Sequence, residues 1–125
     1  MNDEQKLVEA GRGHYKLEAL KRARELVLSV YRLTQTFPKE EMFGLAAQLR
    51  RAAVSVPSNI AEGAAREGGR EFGQFLNIAR GSLSELDTQL LIATDLGYIK
   101  ADDPVFELVD LVSRLLTGLR KSIQR

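Results

Sequence analysis

A series of polar side chains recurs along residues 48–66, and its members could in principle act on a substrate. If this segment is a helix, a rotation of 100° per residue places them within an arc of about 80°, at the edge of the apolar face. A hydroxyl and a carboxylate on one face are the groups of a general acid/base pair, formed here by Ser55 and Glu62. Gln48 begins the series, and we call its remaining members the polar stripe: Arg51, Ser55, Asn59, Glu62 and Arg66.

Catalysis is the weakest interpretation of the polar stripe. It contains no histidine or cysteine, and Glu62 has no second carboxylate on the same face. Glu62 can instead pair with Arg51 or with Arg66, and Arg66 lies four residues later, in the favourable order for a helical ion pair. We therefore predict a structural network and no enzyme, with no catalytic residue, cofactor or small-molecule substrate. A partner-binding surface is the remaining alternative.

Pro57 stands in the middle of this segment and predicts a kinked helix. Proline has no backbone N–H and its ring crowds the preceding turn, so the helix should bend there. The carbonyl of Ala53 loses its usual donor, and we expect Ser55 and Asn59 to compensate the carbonyls near the proline.

Apolar residues recur at intervals of three and four throughout the chain and predict four helices with no competing strand. Short breaks containing Pro38, the run "EGGR" at 67–70 and Gly97 separate them, and Asp102 or Asp103 should cap the last helix. Four amphipathic helices with short loops predict an all-α, up-down-up-down antiparallel four-helix bundle. The predicted helices cover about residues 16–36, 40–66, 70–96 and 104–125, and Met42 and Phe75 are assigned to buried faces.

Length and composition limit the classes of protein. The 125 residues predict one domain, residues 15–125, preceded by a mobile arm or a short helical lead-in at 1–14. No cysteine and one histidine exclude a disulfide scaffold and the common metal sites, and no segment is apolar enough for a membrane span or a signal peptide. We therefore expect a cytoplasmic protein without a membrane partner.

A second stripe, on the third predicted helix, consists of small and polar residues away from its apolar face. Each glycine inside a helix costs about 1 kcal/mol relative to alanine, and small residues at four-residue spacing let backbones approach closely. This pattern suggests a subunit contact, although a solvent-exposed helix face that tolerates small residues explains it equally well. The small-residue stripe comprises Gly73, Asn77, Gly81, Ser84 and Thr88.

Basic residues cluster at two points, although the net charge is only +1. Such clusters are sufficient for salt-dependent phosphate contacts with RNA or DNA, although a solvated face is the usual explanation. No aromatic platform for stacking bases is evident. The candidate contacts are Lys21, Arg22, Arg24, Arg50 and Arg51.

Two runs, "QLRRAAVSVPSNIAEG" and "FLNIARGSLSEL", resemble a known family. It is the family of bacterial four-helix-bundle proteins encoded in intervening sequences of 23S ribosomal RNA genes, which includes the accessory variability determinants of diversity-generating retroelements. The resemblance extends from about Lys16 to the C-terminus. The matching motif positions are Arg50, Arg51, Ser55, Pro57, Asn59, Glu62, Gly63, Arg80, Gly81, Ser82 and Glu85.

The resemblance implies a bundle that assembles as a ring, typically a pentamer, and no established enzymatic activity. Retroelement members bind a reverse transcriptase and nucleic acid, which makes a protein partner and RNA or DNA expectations here too. Those members are strongly basic, whereas this chain is near neutral. We therefore expect first a non-enzymatic oligomeric scaffold and, as the alternative, a nucleic-acid-binding accessory protein.

Overall fold

Four helices account for most of the computed structural model, which describes the backbone of residues 13–123 and the side chains of residues 16–123. Both α1 and α3 contact α2 and α4, and among the described residues the diagonal pairs do not pack together. Because short connections join consecutive helices, neighbours are antiparallel. The predicted all-α four-helix bundle is confirmed. Its helices are α1 (Gly13–Thr34), α2 (Leu45–Ala64), α3 (Gly69–Asp95) and α4 (Val105–Ile123).

The predicted N-terminal arm falls mostly outside the described residues. Residues 1–12 are not described, and the last two residues of the predicted arm, Gly13 and His14, belong to α1. The prediction of a mobile arm therefore stays a prediction.

One apolar face of each helix forms a continuous core, because residues spaced by three and four lie on the same side of a helix. Leucine dominates the centre, and small alanines on α1 and α2 let the helices approach closely. The largest fully buried side chains are Leu26, Val30, Leu49, Val56, Ile60, Leu76, Leu86, Leu90, Val112, Leu116 and Leu119.

The ends of the helices follow the local chemistry that the sequence predicts. Gly97 has a φ of 80°, donates to the carbonyl of Thr94, and is followed by a bond from Tyr98 N–H to Ala93, which together form a Schellman ending of α3. Gly68, with a φ of 98°, reverses the chain between α2 and α3. Asp103 accepts the Val105 N–H at 2.9 Å and so caps α4.

The predicted start of the second helix at Glu40 is wrong. Residues Lys39–Glu41 form a short 3₁₀ turn, and α2 begins only at Leu45, after Gly44. Met42 is consequently exposed rather than buried, because it lies in the connection and not on the apolar face of α2. Glu41 still reaches the N-terminus of α2, where its Oε1 accepts the Leu45 N–H at 3.4 Å.

The predicted burial of Phe75 is also wrong, since its ring is only half-buried. It lies at the edge of the contact between α2 and α3, where the guanidinium of Arg66 is 5.2 Å from the ring centroid. A cation over the ring face covers part of an aromatic side chain that the core does not enclose.

The helix containing Pro57 is continuous from Leu45 to Ala64. The predicted kink at Pro57 stays a prediction. The proline lies on the side of α2 that faces α1, where it lines a groove between the two helices.

The α1–α2 and α3–α4 connections meet at one end of the bundle. Tyr98 donates its hydroxyl to Glu41 Oε2 at 2.8 Å, and its ring lies 5.1 Å from that of Phe37, centroid to centroid. The hydrogen bond to the Glu41 carboxylate raises the pKa of Tyr98, because it favours the protonated phenol. This link fixes the end of the bundle at which Met42, Phe43 and Leu96 also lie.

Candidate functional site

The structure divides the polar stripe into a half-buried and an exposed part. Ser55 and Asn59 are half-buried and face α3, whereas Arg51, Glu62 and Arg66 are exposed. Glu62 pairs with Arg66, with 2.7 Å between Oε1 and Nη2. An exposed pair of this kind contributes only a few tenths of a kcal/mol to helix stability. The described ion pairs do not include Arg51.

Ser55 connects α2 to α3 through hydroxyl groups. Its Oγ lies 2.7 Å from Ser82 Oγ on α3, and Asn59 Nδ2 donates to both the Ser55 carbonyl, at 2.8 Å, and the Ser55 Oγ, at 3.0 Å. The carbonyl that Asn59 satisfies is therefore that of Ser55, whereas the expectation named chiefly that of Ala53. The three side chains form a small network that fixes the register of the two helices.

A second polar contact crosses the same pair of helices further along. Gln89 is only 7% exposed and donates to Glu85 at 3.1 Å and to Gln48 of α2 at 3.4 Å. Its Oε1 has no hydrogen-bond partner among the described residues. Gln89 was not predicted from the sequence, although it lies seven residues after Ser82 and hence on the same side of α3. Together these contacts form the polar seam, which consists of Gln48, Ser55, Asn59, Ser82, Glu85 and Gln89.

The polar seam lacks the arrangement that nucleophilic catalysis requires. A serine nucleophile needs an adjacent base that accepts its proton. The hydroxyl of Ser55 is bonded to Ser82 and Asn59, neither of which is a base. Glu62 is engaged by Arg66, and the carboxylate of the seam, Glu85, accepts a hydrogen bond from Gln89 rather than from a serine. Among the side chains that the structure describes, no group of carboxylates and histidines could hold a metal ion. What the seam can do chemically is hold two helices together.

We expect Ser55 and Ser82 to be energetically coupled. Removing one hydroxyl by Ser55→Ala or Ser82→Ala should cost about 1 kcal/mol, because the other hydroxyl loses its partner in a half-buried position. The double variant should cost less than the two single costs together, with a coupling of about 0.5–1.5 kcal/mol measured by urea unfolding. Exposed Ser58→Ala on the same helix is the control and should change stability little. Strict additivity would contradict the network.

The five basic candidates lie in different local environments. Arg22 is held by two carboxylates, with its Nη1 3.0 Å from Glu25 and its Nε 3.4 Å from Glu18. The hydrogen bond and charge of Glu25, and to a smaller extent those of Glu18, raise the pKa of Arg22 because they stabilise the charged guanidinium.

Arg50 is likewise engaged within the bundle. Its Nε donates to Thr34 Oγ1 at 2.8 Å, and its guanidinium lies 4.7 Å from the ring centroid of Tyr31. Lys21 and Arg24 of α1 and Arg51 of α2 are exposed.

The small-residue stripe of α3 lies alongside α4 and is only partly outward-facing. A Cβ added to Gly73 would lie 3.8 Å from the Ile123 side chain, and the Gly73 carbonyl accepts a bond of 3.4 Å from Arg120. A Cβ added to Gly81 would meet nothing within 4 Å. Asn77, Ser84 and Thr88 are exposed. The stripe therefore borders the groove between α3 and α4, and its middle is open.

An apolar patch that the sequence analysis did not recognise lies at the end of the bundle marked by Tyr98. Phe43 is 93% exposed, and Met42 beside it is also exposed. Leu96 lies two residues before Tyr98, and Ile92 one turn earlier on α3, and both expose about half of their side chains. We call Met42, Phe43, Ile92 and Leu96 the apolar end patch. Its signal in the sequence is Gly44, which separates Met42 and Phe43 from the amphipathic helix that follows.

One protein family matches most of the chain. Its sequence model, described as 23S rRNA-intervening sequence protein, matches residues 15–118, which include α2, α3 and most of α1 and α4. Among curated proteins, none matches the chain. None of the described helices has the length and apolar character needed to cross a membrane. Because the family match extends over most of the bundle and agrees with its four helices, the chain belongs to the 23S rRNA-intervening sequence protein family.

Proposed function

We propose that this chain is a non-enzymatic subunit that assembles with copies of itself, in the cytoplasm, into a homo-oligomeric interaction scaffold. The observation that carries the proposal is the apolar end patch. An isolated exposed leucine is normal on a protein surface. A phenylalanine that is 93% exposed beside Met42, at the same end of the bundle as exposed Leu96, indicates a surface that a partner covers.

A second copy is the simplest partner for this patch. Apolar side chains at the centre of an interface provide most of the binding energy, and aromatic residues are enriched there. The patch is set on the ends of helices that the Tyr98–Glu41 hydrogen bond holds together, so it is presented by a fixed part of the bundle. The resemblance to ring-forming proteins supports self-assembly, and the solution mass gives the number of subunits.

The partners of Ser55 and Glu62 support a non-enzymatic role. Both side chains that suggested chemistry in the sequence are bonded to neighbours that stabilise the fold. The small-residue stripe is the alternative self-contact, since Gly81 leaves open space in the middle of α3.

The experiment is a measurement of solution mass by light scattering on matched variants of α3. Leu96→Gln, directly after the end of α3, removes apolar surface from the end patch, whereas Leu91→Gln makes the same change inside α3. The two leucines are equally exposed, at 53% and 51%. We expect Leu96→Gln and Phe43→Asp to lower the mass and Leu91→Gln to leave it unchanged, with circular dichroism reporting intact helices in all three.

The variant Gly81→Leu separates the two candidate contacts. A leucine side chain at position 81 would project into the open space beside the small-residue stripe. It would therefore block the close approach of another subunit along this stripe. A fall in mass for Gly81→Leu with no effect of Leu96→Gln and Phe43→Asp would transfer the interface to the stripe. A wild-type chain that is monomeric would contradict self-assembly itself.

A further inference from the structure

A groove between α1 and α2 presents apolar side chains to solvent under a basic rim. It encloses about 420 Å³ and lies on a different side of the bundle from the polar seam, since α1 and α3 flank α2 on opposite sides. Its floor is apolar, and charged side chains of α1 form one wall. The lining residues are Lys21, Arg24, Glu25, Val27, Leu28, Val54 and Pro57.

The floor of the groove contains apolar surface that the bundle itself does not cover. Leu28 is 55% exposed and Val54 is 40% exposed, one on each helix. Pro57 adds its ring to this apolar surface. Two adjacent helices with an apolar furrow between them are the kind of surface that receives the apolar face of a third helix.

The rim of the groove is positively charged once the internal ion pairs are considered. The Glu25 carboxylate is engaged by Arg22, 3.0 Å away. Lys21 and Arg24 are exposed, and the ion pairs formed within the described residues do not include them. The groove therefore combines an apolar floor with two exposed cations, Lys21 and Arg24.

We propose that this groove binds an acidic amphipathic helix of a protein partner, with apolar side chains on Leu28, Val54 and Pro57 and carboxylates opposite Lys21 and Arg24. The inference rests on the proposed scaffold function and names the partner that the scaffold holds. Phosphates alone would leave the apolar floor uncovered, which disfavours nucleic acid. A two-fold contact with a second copy would bring this basic rim against itself, and like charges facing each other in an interface are unfavourable. A head-to-tail contact, as in a ring, is the outcome that light scattering on the groove variants tests.

The chemistry of the partner can be tested by selection. A display library of 16-residue amphipathic helices, with an apolar stripe of i, i+4 and i+7 positions and random polar positions, is selected on the full chain. Counter-selection uses the double variant Leu28→Gln, Val54→Gln. We expect the enriched peptides to be rich in Asp and Glu at the flanking positions, because these pair with Lys21 and Arg24.

The most enriched peptide is then measured by fluorescence anisotropy. Leu28→Gln and the charge reversal Lys21→Glu, Arg24→Glu should each raise its Kd by about tenfold or more, since each removes a central part of the contact. Leu91→Gln is the matched control, because its leucine is similarly exposed on a helix outside the groove, and it should leave Kd unchanged.

Several results would overturn the proposal. These are enrichment of no peptide, enrichment of neutral or basic peptides, and a Kd that is indifferent to the charge reversal. A single-stranded RNA oligonucleotide that displaces the peptide and loses binding in the charge-reversed variant would assign the groove to nucleic acid instead.

The oligomer mass of the same variants is measured by light scattering. This measurement distinguishes a failure of the groove assignment from a failure of the scaffold function. If Leu28→Gln lowers the oligomer mass, a second copy covers the groove and the inference fails. If the wild-type chain is monomeric yet binds acidic peptides through the groove, the scaffold function fails and the groove assignment stands.

Discussion

Replacing Gly63 by alanine is expected to lower the free energy of unfolding by about 1–3 kcal/mol, although alanine is the better helix former. Gly63 lies on the side of α2 that packs against Phe72 and Phe75 of α3. A Cβ there would be 2.7 Å from Phe75 Cβ, 2.9 Å from Phe72 Cδ1 and 3.3 Å from the Phe72 carbonyl oxygen. Because a Cβ and a carbonyl oxygen move only with the backbone, relief requires α2 and α3 to separate.

Gly81 provides the matched control for this prediction. It also lies inside a helix, but a Cβ there would meet nothing within 4 Å. Gly81→Ala should therefore raise stability by about 0.5–1 kcal/mol, since alanine reduces the backbone entropy lost on folding. Urea unfolding at equal protein concentration measures both changes. If Gly63→Ala stabilised the protein as much as Gly81→Ala, the close packing of α2 on α3 would be contradicted.

Truncating Leu86 to alanine should have the larger effect, a loss of about 2–5 kcal/mol. Leu86 is fully buried on α3, so the change removes apolar contacts and leaves a cavity that the neighbouring helices fill only in part. Such a loss is a large fraction of the stability of an ordinary domain.

The control for Leu86→Ala is Leu91→Ala on the same helix, where half of the side chain is already in water. We expect that change to cost less than about 1 kcal/mol. Equal costs for the two variants, measured by urea unfolding, would contradict the orientation of α3 in the bundle.

Features that depend on local chemistry were predictable from the sequence. The ending of α3 at Gly97 requires only a residue that adopts positive φ, and the cap at Asp103 requires only a side-chain oxygen before the first turn. The number of helices follows from the apolar period, which a helix imposes whatever its neighbours are.

Features that depend on where a helix begins were predicted less well. Met42 was assigned to the core because it fits the period of α2 when that pattern is extended backwards. Gly44 interrupts the helix, and Lys39–Glu41 instead form a short turn. The same error concealed Phe43, whose exposure now supports the proposed assembly surface. Periodicity alone cannot tell an apolar residue of the core from one in the adjoining connection.

The candidate site shows the same division between local and tertiary information. The arc that contains Ser55 and Asn59 follows from helix geometry, and so does the pair of Glu62 with Arg66. That Ser82 lies opposite Ser55, 27 residues away, depends on how α2 and α3 pack. The basic residues were grouped by sequence proximity, whereas carboxylates of α1 hold Arg22 and Thr34 holds Arg50.

Self-assembly into a scaffold is tested by the mass of the wild-type chain in solution. Light scattering coupled to size-exclusion chromatography, repeated over a range of protein concentrations, gives that mass without a shape assumption. We expect one species at an integer multiple, two or greater, of the chain mass of 13.9 kDa. A single species of 13.9 kDa at every concentration would show that the chain does not self-assemble.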